Sequence, residues 1–392
     1  MSHVPPSIEA AEDPVVGAAS AGRSPIVVLL GGPSAEHDVS IVSGSGIATA
    51  LAERGAAVET WAIGLDGAWW QLPPGALAGE HPARDLDDPA ALGARAPMTA
   101  AGALEALVAR DPRPVIWIAL HGPFGEDGTV QALCESAGLT YTGSGVAASA
   151  LGMDKVLFKR LARALEMPIV PFEVLSRAEQ LADPSAAARR LEAFAERLPD
   201  PRLIIKPARL GSSIGMTVVH RPGERPELGR ALEVAFAYDD VLLAEAYLAG
   251  ARELEVAVVG EGADCEAFGP GEVFPGHEFY DYAAKYEAGV SRTTDTPELA
   301  DASRIRLREL ACAAFAAIGG SGFARVDFLM HGGRVYLSEI NTIPGFTPIS
   351  LFPLLCRRGG YDFGAICERI VELAVERAAR RPTRVLHRAD LP

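Results

Sequence analysis

Asparagine occurs once in these 392 residues, at Asn341, and only four of the 36 basic residues are lysines: Lys155, Lys159, Lys206 and Lys285. A chain that has drifted toward arginine, and away from lysine and asparagine wherever a substitute serves, makes the survivors worth following. Basic charge is also in deficit overall. The net charge of −15 and pI near 5.1 argue against nonspecific nucleic-acid or anionic-membrane binding, whose footprint is a basic patch or domain. Any bound anion must then be held by local cations. The five cysteines (Cys134, Cys265, Cys312, Cys356, Cys367) are odd in number and lack CxxC or Cys/His spacing, which excludes a full disulfide framework and a structural zinc site. Reduced thiols in a cytoplasmic protein fit this usage. No apolar run reaches the roughly 18 to 20 residues of a membrane span, and the first 24 residues, acidic and proline-bearing, read as a disordered tail rather than a signal peptide.

Enough remains for more than one core, since 49% of the residues are hydrophobic. The stretch from Arg325 to Ser350 organises the reading. An apolar run from Phe323 to Met330, a His331-Gly332-Gly333 turn and renewed alternation from Arg334 to Ile340 predict a β-hairpin. Side chains alternate along each strand, so Arg325 and Asp327 share a face. If Asp327 lies roughly opposite Leu337, Glu339 and Asn341 fall on that face too, diagonally across. Three oxygen ligands, two of them anionic, suit Mg²⁺ completed by water and nucleotide phosphate. The competing view is a solvated strand face with ordinary charges.

Upstream, the chain begins with a buried strand over 25–30, a Gly31-Gly32-Pro33-Ser34 turn and a helix from Ala35 to about Arg54. The turn lacks GxGxxG, with Pro33 where a glycine would approach a pyrophosphate, so Glu59 on the next strand is not read as a dinucleotide ribose ligand. Glu36 is a carboxylate suited to an ammonium group, or simply a complement to the helix dipole. A second buried strand, 115–120, ends at His121, which is placed to touch a substrate. Apolar spacing predicts one helix over 149–166 containing Lys155. Lys206 ends a strand followed by Leu210-Gly211-Ser212-Ser213-Ile214-Gly215 and another strand, a flap whose backbone N–H groups can cradle phosphate, since a Walker loop would carry GK[ST] before a helix. Glu245, Ala246, Leu248 and Glu253 form a hinge able to meet an adenine edge and ribose hydroxyls. Residues 277–286 gather three of the eight tyrosines and Lys285, as a loop closing over a site would.

The ordered set GGPSAEHDVS, HGPFGEDG, SALGMDK, IIKPARLGSSIGM, EFYDYAAKY, GFARVDF and SEINTIPGFTPIS resembles the D-alanine D-alanine ligases of the ATP-grasp superfamily over about residues 25 to 375. The resemblance implies an α/β fold of three lobes: an N-terminal parallel-sheet α/β domain (25–148), a small central α+β lobe (149–244) and a C-terminal α+β lobe with the metal site (245–382). It implies ATP-dependent ligation of two D-alanines through an acylphosphate, for peptidoglycan precursors, by a cytoplasmic homodimer. Asp327, Glu339 and Asn341 resemble ligands of two Mg²⁺ ions, with Mn²⁺ admitted. Lys155, Lys206, Ser213, Glu245, Ala246, Leu248 and Glu253 match the ATP contacts. Glu36, aided by His121, resembles the holder of the first ammonium. Arg325 and the Gly345 amide look like the oxyanion stabilisers, while Ser350, Leu351 and Lys285 resemble the second carboxylate's pocket. Ser212, Tyr286 and Glu36 match a latch on the closing loop, and the Lys285-Tyr286 pair looks like the dipeptide-forming type. A non-catalytic nucleotide sensor would have lost a metal ligand or Arg325, and all are present. A more polar 291–296 segment leaves room for a relative that joins other amino acids.

Overall fold

The structure, a computed structural model, describes residues 24–77, 86, 88–275 and 292–380. Three sheets organise these residues. The first contains β1 (Ile26–Gly31), β2 (Val58–Ile63), β3 (Trp69–Gln71), β4 (Val115–Ile118) and β5 (Thr140–Tyr141), in the order β3-β2-β1-β4-β5. It is parallel apart from β3, which returns antiparallel along β2. Every residue of β1 and β4 is buried, the pattern of strands covered on both faces by crossover helices. Those helices are α1 (His37–Glu53), α2 (Ala100–Val108) and α3 (Thr129–Ser136). Glu59 in mid β2 pairs with Arg110 at 2.7 Å and accepts from Gln71, which agrees with leaving it out of any ribose site.

The single helix predicted over 149–166 is two helices, α4 (Val146–Met153) and α5 (Lys155–Ala164). Asp154 breaks them: its backbone is extended, and its carboxylate caps α5 by accepting from the Val156 and Leu157 N–H groups. Apolar spacing continues across the break, which is why periodicity alone does not reveal it.

The central sheet is antiparallel, in the order β6-β9-β7-β8, from β6 (Phe172–Ser176), β7 (Leu203–Pro207), β8 (Thr217–Val219) and β9 (Val241–Ala246). Helices α6 (Arg177–Ala182), α7 (Pro184–Glu196) and α8 (Arg225–Phe236) accompany it, and α7 and α8 bury a separate core with its strands around Leu191, Leu203 and Leu232. Strand β9 runs on to Ala246, slightly past the division expected at 244/245.

The third sheet has the order β12-β11-β10-β13-β14, built from β10 (Arg252–Glu261), β11 (Asp264–Phe274), β12 (Arg292–Thr294), β13 (Ser321–His331) and β14 (Arg334–Asn341). Helix α9 (Asp301–Ala317) packs on it, and α10 (Leu351–Arg358) and α11 (Phe363–Arg380) join it to the first sheet. One apolar core therefore spans the first and third sheets. Phe346 is its hub. Its ring lies 5.7 Å from Trp117 of β4, 5.7 Å from Phe323 of β13, 5.3 Å from Phe352 of α10 and 5.7 Å from Phe363 of α11. No described helix is long and apolar enough to cross a membrane.

Because Phe346 is 2% exposed and holds four rings from four elements, Phe346→Ala is expected to cost about 3–5 kcal/mol. Chemical denaturation measures this, and a loss below ~1 kcal/mol would remove Phe346 from its role as the joint.

Candidate active site

The β13–β14 hairpin forms as expected, turning through Gly332 and Gly333 at φ +57 and +76, a conformation that glycine adopts without steric cost. Its register differs from the expected one. Asp327 lies directly opposite Glu339, and Arg325 opposite Asn341, because an irregularity beside Asp327 inserts Ser338 before Leu337 pairs with Phe328. The polar face survives, but its members are direct partners rather than diagonal ones. Glu255 of β10 pairs with Asp327 from the other side, so Glu255, Asp327 and Glu339 form a carboxylate row across three strands.

Such a row needs cations. Arg325 grips Asp327 with Nε and Nη2, each 2.7 Å from a carboxylate oxygen, and lies 3.3 Å from Glu255. Burial disfavours its charge, yet Asp327 and Glu255 more than offset this and hold the guanidinium well above its ordinary range. Asn341 donates Nδ2 to Asp327 Oδ2 at 2.9 Å. Lys155, the first residue of α5, reaches Glu339 at 3.1 Å and the Leu210 carbonyl at 3.0 Å. Burial lowers its affinity for the proton, but Glu339 and the more distant Glu245 and Glu126 raise it overall. One lysine thus ties the C-terminal sheet to the flap.

Lys206 and Glu245 stand on adjacent strands of the central sheet and form a close ion pair. Glu245, expected to accept from adenosine, is also 2.5 Å from Lys159 on α5. Burial favours the neutral acid, but the two lysines overcome it and keep the Glu245 carboxyl below its usual range. The hinge backbone is partly used internally, since the Ala246 N–H donates to Pro171 and the Leu248 carbonyl accepts from Ala251. Between the two antiparallel sheets lies a cleft lined by Lys155, Lys206, Ser213, Glu253, Asp327 and Glu339, among others.

The flap between β7 and β8 places Ser212 and Ser213 at φ +52 and +56, conformations that cost non-glycine residues roughly 1–2 kcal/mol each. Ser212 donates to Glu36 Oε1 in a short hydrogen bond, joining the flap to the first sheet. Glu36 precedes α1 without capping it by its side chain, so that carboxylate faces the flap rather than serving its own helix. A Cβ at Gly122, whose φ is +71, would lie 2.7 Å from Glu36 Oε2, which explains glycine there.

His121 departs from expectation. It is buried, with Nδ1 3.0 Å from the Ile343 carbonyl and Nε2 3.1 Å from Ser43 Oγ, so both ring nitrogens already have protein partners. Burial lowers its pKa, but Glu126 at 3.6 Å, with Glu36 and Ile343, carries it above its usual value. Through the Ile343 carbonyl the residue also braces the loop after β14. In that loop, Ser350 Oγ bonds Thr347 Oγ1 at 2.7 Å and stands near Gly345, where a Cβ would be 3.5 Å away. Leu351 is 6% exposed and packs against Gly271. Lys285 and Tyr286, with the rest of the expected closing loop, lie outside the described residues.

Two members escaped sequence reasoning. Glu255 shares strand alternation with Glu253, a detectable signal, whereas Lys159 shows only as one of four surviving lysines, four residues after Lys155.

Among the described residues no cluster of three or more His, Cys, Asp or Glu side chains suits a metal, so Asn341 is needed to complete the Asp327, Glu339 and Asn341 set. Adjacent hard oxygens, two of them anionic, beside the cleft fit a hard divalent cation such as Mg²⁺.

Known proteins share this architecture. Residues 25–144 match the family model described as D-ala D-ala ligase N-terminus, and residues 161–372 match D-ala D-ala ligase C-terminus. The chain is 39% identical over 367 residues to a D-alanine–D-alanine ligase of Heliobacterium modesticaldum, covering 91% of this chain and 95% of that protein. It is 36% identical over 371 residues to the Chlorobaculum tepidum ligase, covering 91% and 98%. Among solved structures, the D-alanine-D-alanine ligase from Coxiella burnetii superposes with TM-score 0.72 at 30% identity, covering 91% of this chain and 95% of that one. VanG D-Ala:D-Ser ligase from Enterococcus faecalis superposes at 0.75 and 28% identity, covering 90% and 100%.

The flap has its own electrostatic anchor. Asp239 accepts from the Arg209 and Val241 N–H groups and pairs with the Arg209 guanidinium at 2.5 Å. Burial raises the Asp239 pKa, but Arg209 and the two N–H groups more than offset this and hold the carboxyl below its ordinary range. A depressed carboxylate contributes stability that is present above its unfolded pKa and lost as pH falls through its folded pKa. Stability should therefore decline below about pH 4, and Asp239→Asn should flatten that decline. Equal slopes for parent and variant in acid denaturation would refute the anchor.

Proposed function

The chain belongs to the D-alanine–D-alanine ligase family, and from that premise we propose the roles of its residues in joining two D-alanines into D-alanyl-D-alanine for peptidoglycan synthesis. It is an ATP-dependent ligase. The observation that carries the assignment is the cleft, where Lys155, Lys206 and a serine flap face Asp327, Glu339 and Asn341 between two antiparallel sheets. The first D-alanine carboxylate attacks the γ-phosphate to give an acylphosphate. The amine of the second then displaces phosphate. Phosphoryl chemistry of this kind rests on positioning and charge neutralisation, which suits a cleft of cations without a protein nucleophile.

In this proposal Lys155, Lys206 and the Ser213 segment hold the phosphates, and Glu245, Ala246, Leu248 and Glu253 form the adenosine side, with Glu245 acting through Lys206. Asp327, Glu339 and Asn341 hold two Mg²⁺ ions, with Mn²⁺ as an alternative. Bound metal supplies charge neutralisation at the phosphates. Glu36 holds the first ammonium, with His121 bracing its surroundings. Arg325 and the Gly345 N–H take the oxyanion of the tetrahedral step. Ser350, Leu351 and Lys285 take the second carboxylate, and Ser212, Glu36 and Tyr286 latch the closing loop. The Ser212–Glu36 hydrogen bond supports this latch. The lobes are proposed to run over 25–148, 149–244 and 245–382, in a cytoplasmic homodimer acting on small molecules.

Phosphate release with ATP and Mg²⁺, measured across D- and L-amino acids, should be stimulated by D-alanine. Asn341→Ala should lower the rate at least ~100-fold. If no D-amino acid stimulates release, the ligase assignment fails. With D-alanine and D-lactate both present at neutral pH, mass spectrometry should find the dipeptide, and depsipeptide as sole product would overturn the assignment of Lys285-Tyr286.

A further inference from the structure

Lys159 has no part in the roles above, yet it is 0% exposed and its ammonium lies 2.5 Å from Glu245 Oε1. Glu245 is 3% exposed, and its other oxygen holds Lys206, which is 6% exposed. Two lysines therefore share one carboxylate in a nearly dry layer, leaving one positive charge in excess. Lysine is rarely fully buried, and an uncompensated ion there is costly, so the arrangement calls for a use. Only part of it faces the cleft. Lys206 and Glu245 line the space, while Lys159 stands behind them, one helical turn beyond Lys155 on α5.

We propose that Lys159 is a positioning residue for nucleotide binding: it occupies Glu245 from behind, so that the carboxylate aims Lys206 at the phosphates without cancelling its charge. The proposal rests on the ligase reading for the identity of the nucleotide. With Lys159 absent, Glu245 and Lys206 would form a closed one-to-one pair, and the excess positive charge of this trio would be lost. Helix α5 then couples both lysines, since Lys155 contacts Glu339 and Lys159 contacts Glu245 on opposite walls of the cleft.

The test compares ATP binding by calorimetry, and steady-state kinetics, in the full-length parent, Lys159→Met, Glu245→Gln and the Lys159→Met/Glu245→Gln double variant. Lys159→Met should weaken ATP binding about tenfold, or 1.4 kcal/mol, and raise KM for ATP more than it lowers kcat. Glu245→Gln loses its own place on the adenosine side, so the double is read against it: removing Lys159 in that background should change ATP binding less than about threefold, a non-additivity that a packing role would not give. The proposal is overturned if Lys159→Met binds ATP within twofold of the parent, or if removing Lys159 costs tenfold in both backgrounds. Should Lys159→Met not fold, the comparison of the double with Glu245→Gln decides, and an unfolded or tenfold weaker double overturns the proposal. A parent that binds no ATP contradicts the ligase reading itself, which keeps the two failures apart.

Discussion

Pairing of buried charge between two antiparallel sheets is the constraint on which the rest depends. Glu245, Glu255, Asp327 and Glu339 are brought to one cleft, where Lys155, Lys159, Lys206 and Arg325 answer them. Removing ions from water costs several kcal/mol apiece unless each finds a well-placed partner. The fold meets that cost by taking partners from different elements: α5 supplies two lysines, β7 one, and β13 the arginine. Lys155 and Lys159 thus make α5 the tie between the two sheets, while the Lys206–Glu245 and Arg325–Asp327 pairs each stay within one sheet. In an acidic chain, these cations are the local partners that an anion such as ATP would need.

The rest of the architecture sets the distances at which those charges meet. The Phe346 hub fixes the first and third sheets to one another, and the loop that carries it also carries Gly345 and leads to Ser350. Position in that loop is therefore coupled to packing far from solvent. The central sheet has its own core and packs on α5 through Val156, Phe172 and Leu243, whereas its flap is held by polar contacts, Ser212 with Glu36 and Lys155 with the Leu210 carbonyl. Hydrogen bonds of this kind exchange readily with water, whereas a shared aromatic core does not. The difference suits a flap that admits a nucleotide and then closes.

Much of the site could be read along the chain because its chemistry recurs at short range. Alternation placed Arg325 with Asp327 and Glu339 with Asn341 on one face, and the twin glycines marked the turn between them. The Lys206 strand and the serine-glycine flap were legible for the same reason. What escaped was non-local. The strand irregularity beside Asp327 converts diagonal neighbours into direct ones, and Asp154 interrupts a helix without interrupting its apolar spacing. The contacts of His121 with Ser43 and Ile343, distant in sequence, were equally out of reach.

By itself, the sequence determined the hairpin, its polar face of Arg325, Asp327, Glu339 and Asn341, and the serine-glycine flap after Lys206, while the ordered motifs carried the resemblance that implied three lobes. The hairpin and flap follow from periodicity, turn chemistry and residue type, all local properties of the chain. Only the tertiary structure decided which cation answers which carboxylate, that Glu245 serves two lysines, and that Glu36 turns away from its own helix toward the flap. Charge pairing is a matter of distance in space and of dielectric surroundings, and neither exists until the sheets have packed.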